Sequence, residues 1–173
     1  ANIPQKFAQK IERAVKAMLE AVNAEGWDLL FEKNGITAKR RPGAVVCVKG
    51  DAVIPFSVSD TFALVSNLER SYEVDPQRRE VVHIKDYSVH TWAEYLAFKP
   101  IWPTSARDFV NLAHWRLLQD GTIVMVGFSE KFDDLKPTVE SSSSVATFSS
   151  QWRAARRSIT SSRQTSRARC PPL

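Results

Sequence analysis

The sequence predicts an α+β fold built on an antiparallel sheet. Three observations carry this expectation. An amphipathic stripe opens the chain; short strand-like segments then follow one another across tight-turn pairs with no helix between them; and two longer extended segments flank a proline corner. Strands joined by tight turns pair antiparallel, whereas a parallel sheet would need crossover helices between them.

Phe7, Ile11, Val15, Met18 and Val22 recur at steps of four, four, three and four, which puts them on one stripe of a helix over residues 5–23. Lys and Glu fill the other side, and the region of Gly26 ends it. The mixed charge of that polar side fits a helix packed on a sheet better than one lying on a membrane. Residues 27–33 then read as a strand that stops at Asn34-Gly35, a tight-turn pair. Residues 36–41 return to Pro42-Gly43, and residues 44–49 run to Gly50-Asp51. Ser57 to Asp60 has the form of a capping box with Asp in place of Glu, and Val58, Phe62 and Val65 continue it at helical spacing. Residues 80–87 are the next strand. The stretch 92–118 follows, with Pro100 and Pro103 marking a corner where pairing must stop, since neither donates to a ladder. Alternation puts Trp92, Glu94, Leu96 and Phe98 on one face before the corner, and Arg107, Phe109, Asn111, Ala113, Trp115 and Leu117 on one face after it. Residues 122–129 form a further strand after an Asp120-Gly121 turn, and residues 131–137 read as a loop.

The block Trp102-Pro103-Thr104-Ser105-Ala106-Arg107-Asp108-Phe109-Val110 resembles the Trp-Pro…Arg-Asp-Phe signature of the START domains, the StAR-related lipid-transfer family. Leu68-Glu69-Arg70…Asp75 and the run Arg79 to Asp86 extend the likeness upstream, and Trp115-Arg116 with the strand ending at Ser129 extends it downstream. The wording at the corner is most similar to the ceramide- and phosphatidylcholine-transfer members. The resemblance implies a helix-grip fold: a curved antiparallel sheet, an N-terminal helix, and a tunnel for one lipid closed by a C-terminal helix. It covers residues 26–137, and the lipid-binding domain is expected over residues 1–140. Val74 stands where the family has Trp before the Asp that matches Asp75.

Beyond Pro137 the family pattern stops. The C-terminal strands and the lid helix are expected to be missing, and residues 141–173 form a Ser- and Arg-rich tail with six Arg and no acidic residue. That composition predicts disorder. The abrupt change also suggests an alternative splice or a different reading frame from about Val145, giving a truncated form. Two other readings remain open. Phe148, Trp152, Ala155 and Ile159 are spaced for a basic amphipathic helix that would substitute for the lid or touch anionic lipid. An Arg/Ser segment also suits RNA phosphate. The net charge is +5, and the tail's +6 leaves −1 for residues 1–140, so the folded part carries no nucleic-acid footprint. A sheet without its closing helix would expose an apolar face, which favours self-association or an open groove.

The candidate site follows from parity and from the resemblance together. Trp92, Glu94, Leu96, Arg107, Phe109, Asn111 and Trp115 would line the cavity, with Asp75 at its mouth. The resemblance matches Glu94 to an acidic residue inside the tunnel of the sterol-binding member. The position of that member's arginine partner is Ala113 here, so Arg107 is the replacement proposed, the alternative being a structural ion pair. Leu96 stands where the ceramide-transfer member has the glutamine that meets the headgroup, which favours a generic amphiphile over ceramide. Trp102 matches a Trp that dips into the membrane; an indole at an exposed loop suits the water–lipid interface, and the alternative is a cap on the core edge. Asn111 on an apolar face needs a hydrogen-bond partner. Asp108 has the opposite parity and reads as structural.

Other function classes find little support. His83, His90 and His114 lack metal-ligand spacing, and neither a Gly-rich phosphate loop nor a nucleophile elbow occurs. No metal or cofactor is expected. Cys47 and Cys170 are far apart, so the default is a reducing, cytoplasmic setting. No apolar run approaches the ~18 residues of a membrane span. The expectation is a carrier that takes a phospholipid, ceramide or sterol and meets membranes transiently, and not an enzyme. The alternatives are a cyclase- or hydratase-like enzyme on the same scaffold, with Glu94 as its acid or base, and a non-functional truncated isoform with a basic interaction tail.

Overall fold

The structure is a computed structural model and describes residues 3–43, 47–130, 132, 148–154 and 162–166. The first helix, α1 (Gln5–Asn23), buries Phe7, Ile11, Ala14, Val15, Met18 and Ala21, the stripe read from the sequence with two alanines added and Val22 only partly buried. The Pro4 carbonyl accepts from the Phe7 and Ala8 amides at 2.9 and 3.1 Å and starts the helix. Its last carbonyls find side-chain donors: Trp27 Nε1 bonds the Ala21 oxygen at 3.2 Å and Lys49 Nζ the Val22 oxygen at 3.3 Å. These contacts satisfy acceptors that a helix end leaves open and place a cation at the negative end of the dipole. The Arg41 and Lys49 cations both stand over the Trp27 ring, at 5.1 and 5.6 Å from its centroid.

Three strands follow: β1 (Asp28–Lys33), β2 (Ile36–Arg41) and β3 (Cys47–Ile54). Asn34 and Gly35 take φ of 53° and 73°, the pair of left-handed residues that a two-residue type I′ hairpin requires. The third strand departs from expectation. Gly50 and Asp51 form no turn; they pair with Ala38 and Thr37 in the middle of β3. Ladder bonds from neighbours on both sides outweigh a local turn preference. The chain then crosses to the far edge of the sheet through α2 (Val58–Ser66) and the short α3 (Ser71–Val74). Ser57 Oγ accepts from the Asp60 amide at 3.0 Å, the cap read from the sequence.

A four-stranded meander follows: β4 (Arg78–Ser88), β5 (Thr91–Phe98), β6 (Arg107–Leu117) and β7 (Ile123–Ser129), all antiparallel. The turn before β7 has Gly121 at φ 82°, with the Thr122 amide on Asp120 Oδ1 at 3.0 Å.

The sequence led us to expect no C-terminal strands. The backbone instead forms β8 (Phe148–Ala154) and β9 (Ser162–Ser166), which fill the gap between β7 and β3. The sheet order is β1-β2-β3-β9-β8-β7-β6-β5-β4. The amphipathic helix read for Phe148, Trp152 and Ala155 is therefore corrected over Phe148–Ala154. Four stripe positions cannot offset helix nucleation, whereas the open sides of β3 and β7 offer two rows of backbone partners to any extended segment. The expectations of a loop at 131–137, a missing lid helix and a changed reading frame fall mainly on residues 131, 133–147, 155–161 and 167–173, outside the described residues.

The main core lies under α1. Its stripe packs on Leu112 of β6 and on Val124, Val126 and Phe128 of β7. The same face carries the Glu12–Arg116 and Lys10–Glu130 ion pairs between α1 and the sheet.

Candidate functional site

Register decides which residues meet on the opposite face. Across β5 and β6, Trp92 lies opposite Ala113, Glu94 opposite Asn111, Leu96 opposite Phe109, and Phe98 opposite Arg107. Directly opposed residues of an antiparallel pair share a face, so these eight form one surface, as alternation predicts. It is turned away from α1, which contacts the even-numbered side of β6. Helix α2 meets this second face at one end, its Phe62 ring 4.7 Å from the ring of Trp115.

The surface is apolar with a few fixed polar groups. Trp92, Leu96 and Ala113 are buried, and Phe98 and Phe109 meet edge to face at 5.9 Å. Glu94 is only 7% exposed and accepts from Trp92 Nε1 at 2.8 Å. Burial pushes its carboxyl above the usual carboxylate range, against the pull of the Trp92 N–H and the charges of Arg78 and His83. Asn111, equally buried, accepts from Ser129 Oγ at 3.1 Å, which supplies the partner the sequence required. Trp115 is half-buried at the other end, where its Nε1 donates to the Val89 carbonyl at 3.3 Å and its ring stands against His90.

The pairing of Glu94 with Arg107 is corrected. Arg107 opposes Phe98, four residues along the strand from Glu94, roughly 13 Å away at the rise of an extended chain. The charges that act on Glu94 come from β4: His83, its opposite residue, and Arg78, near the start of that strand. Sequence reading missed both, because register breaks between Arg78 and Glu80 and between His83 and Lys85 interrupt simple alternation in β4.

Asp75 lies in the turn between α3 and β4, where its Oδ1 accepts from the Gln77 amide at 3.1 Å. Asp108 occupies the α1 face, fully buried, and accepts from Tyr95 Oη at 3.0 Å, as its parity implied. On that face His114 bonds Thr91 Oγ1 at 2.8 Å through Nδ1. Burial, aided by Arg116 and His90, lowers its pKa to about 4. Trp102 lies in the corner, joined to Pro103 by a cis peptide bond and 92% exposed. The cap on the core edge is thereby excluded. Ile101 and Thr104 close the corner with reciprocal backbone bonds.

No protein-family model matches the chain, and no curated protein sequence matches it. Solved structures do. The human StAR-related lipid transfer protein 5 superposes with a TM-score of 0.84 at 16% identity, over 99% of this chain and 86% of that one. The chain has the START fold. A STAR-related lipid transfer protein from Xanthomonas axonopodis gives a TM-score of 0.73 at 17% identity, over 86% of this chain and 83% of that one. Human STARD10 gives 0.74 at 14% identity, over 91% and 67%. The START fold accounts for the insertion of β8 and β9 between β7 and β3: the helix-grip sheet is continuous only when the last strands join its two halves. Among the described residues no cluster of His, Cys, Asp or Glu is arranged to hold a metal, and no helix is long and apolar enough to cross a membrane.

Proposed function

We propose that this chain binds one lipid non-covalently against the α2 face and carries it between membranes. The observation behind this reading is the composition of that face. Trp92, Leu96, Phe98 and Phe109 make a continuous apolar wall, and Glu94 and Asn111 are the polar groups set into it. Burial of acyl or ring surface there would contribute about 25 cal/mol per Å² removed from water, and the two polar groups would select the headgroup. Solved lipid transfer proteins of the same fold support the reading. Trp102, exposed beside Ile101, would touch the membrane during exchange. Cys47, buried and outside any disulfide among the described residues, suits a cytoplasmic carrier.

Native mass spectrometry after exposure to mixed cellular lipids tests the proposal. One retained lipid per chain is expected, with at least tenfold less retained by Phe109→Lys at unchanged circular dichroism. A wild-type chain that folds but retains no lipid refutes the reading. Trp102→Ala should slow transfer between vesicles and leave equilibrium retention intact. Glu94 supports a second reading, because a carboxyl whose pKa is raised by burial is also a candidate catalytic acid. Turnover of a hydrophobic substrate whose pH profile moves on Glu94→Gln would select that reading.

A further inference from the structure

The two ends of the sheet differ in how they face solvent. Among the described residues β1 and β4 each have a strand neighbour on one side only. An edge of this kind presents a row of backbone donors and acceptors to any passing strand, and proteins guard it with charges and bulges. The β4 edge is guarded: Arg78, Arg79, Glu80, His83, Lys85 and Asp86 lie along it, and its register breaks three times. The β1 edge is not. Its centre is Leu29, Leu30 and Phe31, which are 60, 44 and 54% exposed, and its only charges are at its ends, Asp28 on one side and Glu32 and Lys33 on the other.

From this we infer that β1 is a self-association edge, pairing antiparallel with β1 of a second copy of this chain about a two-fold axis. Charge complementarity argues for that occupant. Reading Asp28-Leu-Leu-Phe-Glu-Lys33 against its own reverse sets Asp28 opposite Lys33 of the second copy, twice by symmetry, with Leu30 opposite Phe31 between them. Opposed residues of such a pair must lie on the same face. Asp28 and Lys33 are five residues apart, so strict alternation would put them on opposite faces. The register shift between Leu29 and Phe31 removes the conflict: through β2, Asp28 pairs with Arg40 and Lys33 with Ile36, positions of one parity. Leu29 and Glu32, opposite Lys39 and Thr37, share the other face and meet in the same register. The bulge thus makes the strand self-complementary. The contact extends a sheet already nine strands wide and leaves the α2 face of each copy untouched.

The experiment is sedimentation velocity of the full chain over a concentration series. A monomer–dimer equilibrium is expected for wild type. Asp28→Lys replaces two attractive pairs with two repulsive ones and should weaken it roughly tenfold or more. The exchange Asp28→Lys with Lys33→Asp restores complementarity and should restore the dimer. Leu30→Lys should give monomer at unchanged circular dichroism. A wild-type chain monomeric at every concentration overturns the inference. So do a dimer indifferent to Asp28→Lys, a double exchange that fails to rescue, and larger species insensitive to all of these variants. Retained lipid is measured on the same samples, so failure of dimerisation and failure of lipid binding are read separately.

Discussion

The two faces of the central strands use the same backbone for different ends. On the α1 face the side chains of β6 and β7 meet a helix whose stripe fits them. Leu112, Val124 and Val126 are all but inaccessible, and the polar groups there are paired in place, Tyr95 with Asp108 and Thr91 with His114. On the α2 face the same strands carry larger rings at lower burial, and buried polar groups whose partners are also side chains of that face. One face is filled by the chain itself. The other is an apolar surface with Glu94 and Asn111 set into it. Alternation along one strand is what allows a single sequence to serve both.

The comparison can be broken most severely on the α1 side. Leu112→Ala leaves a cavity under α1 and should cost about 3 kcal/mol in urea unfolding. Phe109→Ala, three residues away on the other face, should cost about half as much, because its ring is only partly buried, yet abolish lipid retention. Equal losses from the two changes would mean that the α2 face is core as well.

Acid should act next, and on the same side. The folded pKa of His114 is about 4, below its ordinary value of 6.5, so the unfolded chain binds the extra proton between these values. Stability contributed by the neutral ring is then fully present above pH 6.5 and is lost as pH falls toward 4, about 1–2 kcal/mol once solvent screening is allowed for. His114→Gln should flatten the fall in melting temperature across that window. Glu94 works in the opposite sense. Its folded pKa is raised, so the folded state holds the proton more tightly and stability declines as pH rises above 4.5. Glu94→Gln should therefore gain on wild type in melting temperature as pH is raised through that range, and a constant difference would show that the carboxylate is not held dry. The smallest effect belongs to the exposed Glu12–Arg116 pair, where Glu12→Ala should cost no more than about 1 kcal/mol, less in high salt.

Much of the fold was legible because its signals are local. The α1 stripe, the Asn34-Gly35 hairpin, the Ser57 cap and the parity of β5 and β6 each depend on residues a few positions apart, and each appears where the sequence puts it. What was misread depended on neighbours distant in sequence. Gly50-Asp51 looks like a turn until β2 and β9 pair on either side of it. Residues 148–154 look too polar to order until the sheet offers them two partner strands. Arg107 looks like the partner of Glu94 until the ladder sets it opposite Phe98, and the role of Arg78 and His83 hides behind bulges that no periodicity reports.

The sequence by itself determined the α1 helix, the β1–β2 hairpin and which side chains of β5 and β6 share a face, because a period of 3.6 or of 2 is a property of the local chain. Only the tertiary structure decided what opposes Glu94, where the last two strands lie and which edge of the sheet leaves apolar side chains exposed. Those depend on inter-strand register and strand order, which are fixed by contacts between residues far apart in the chain.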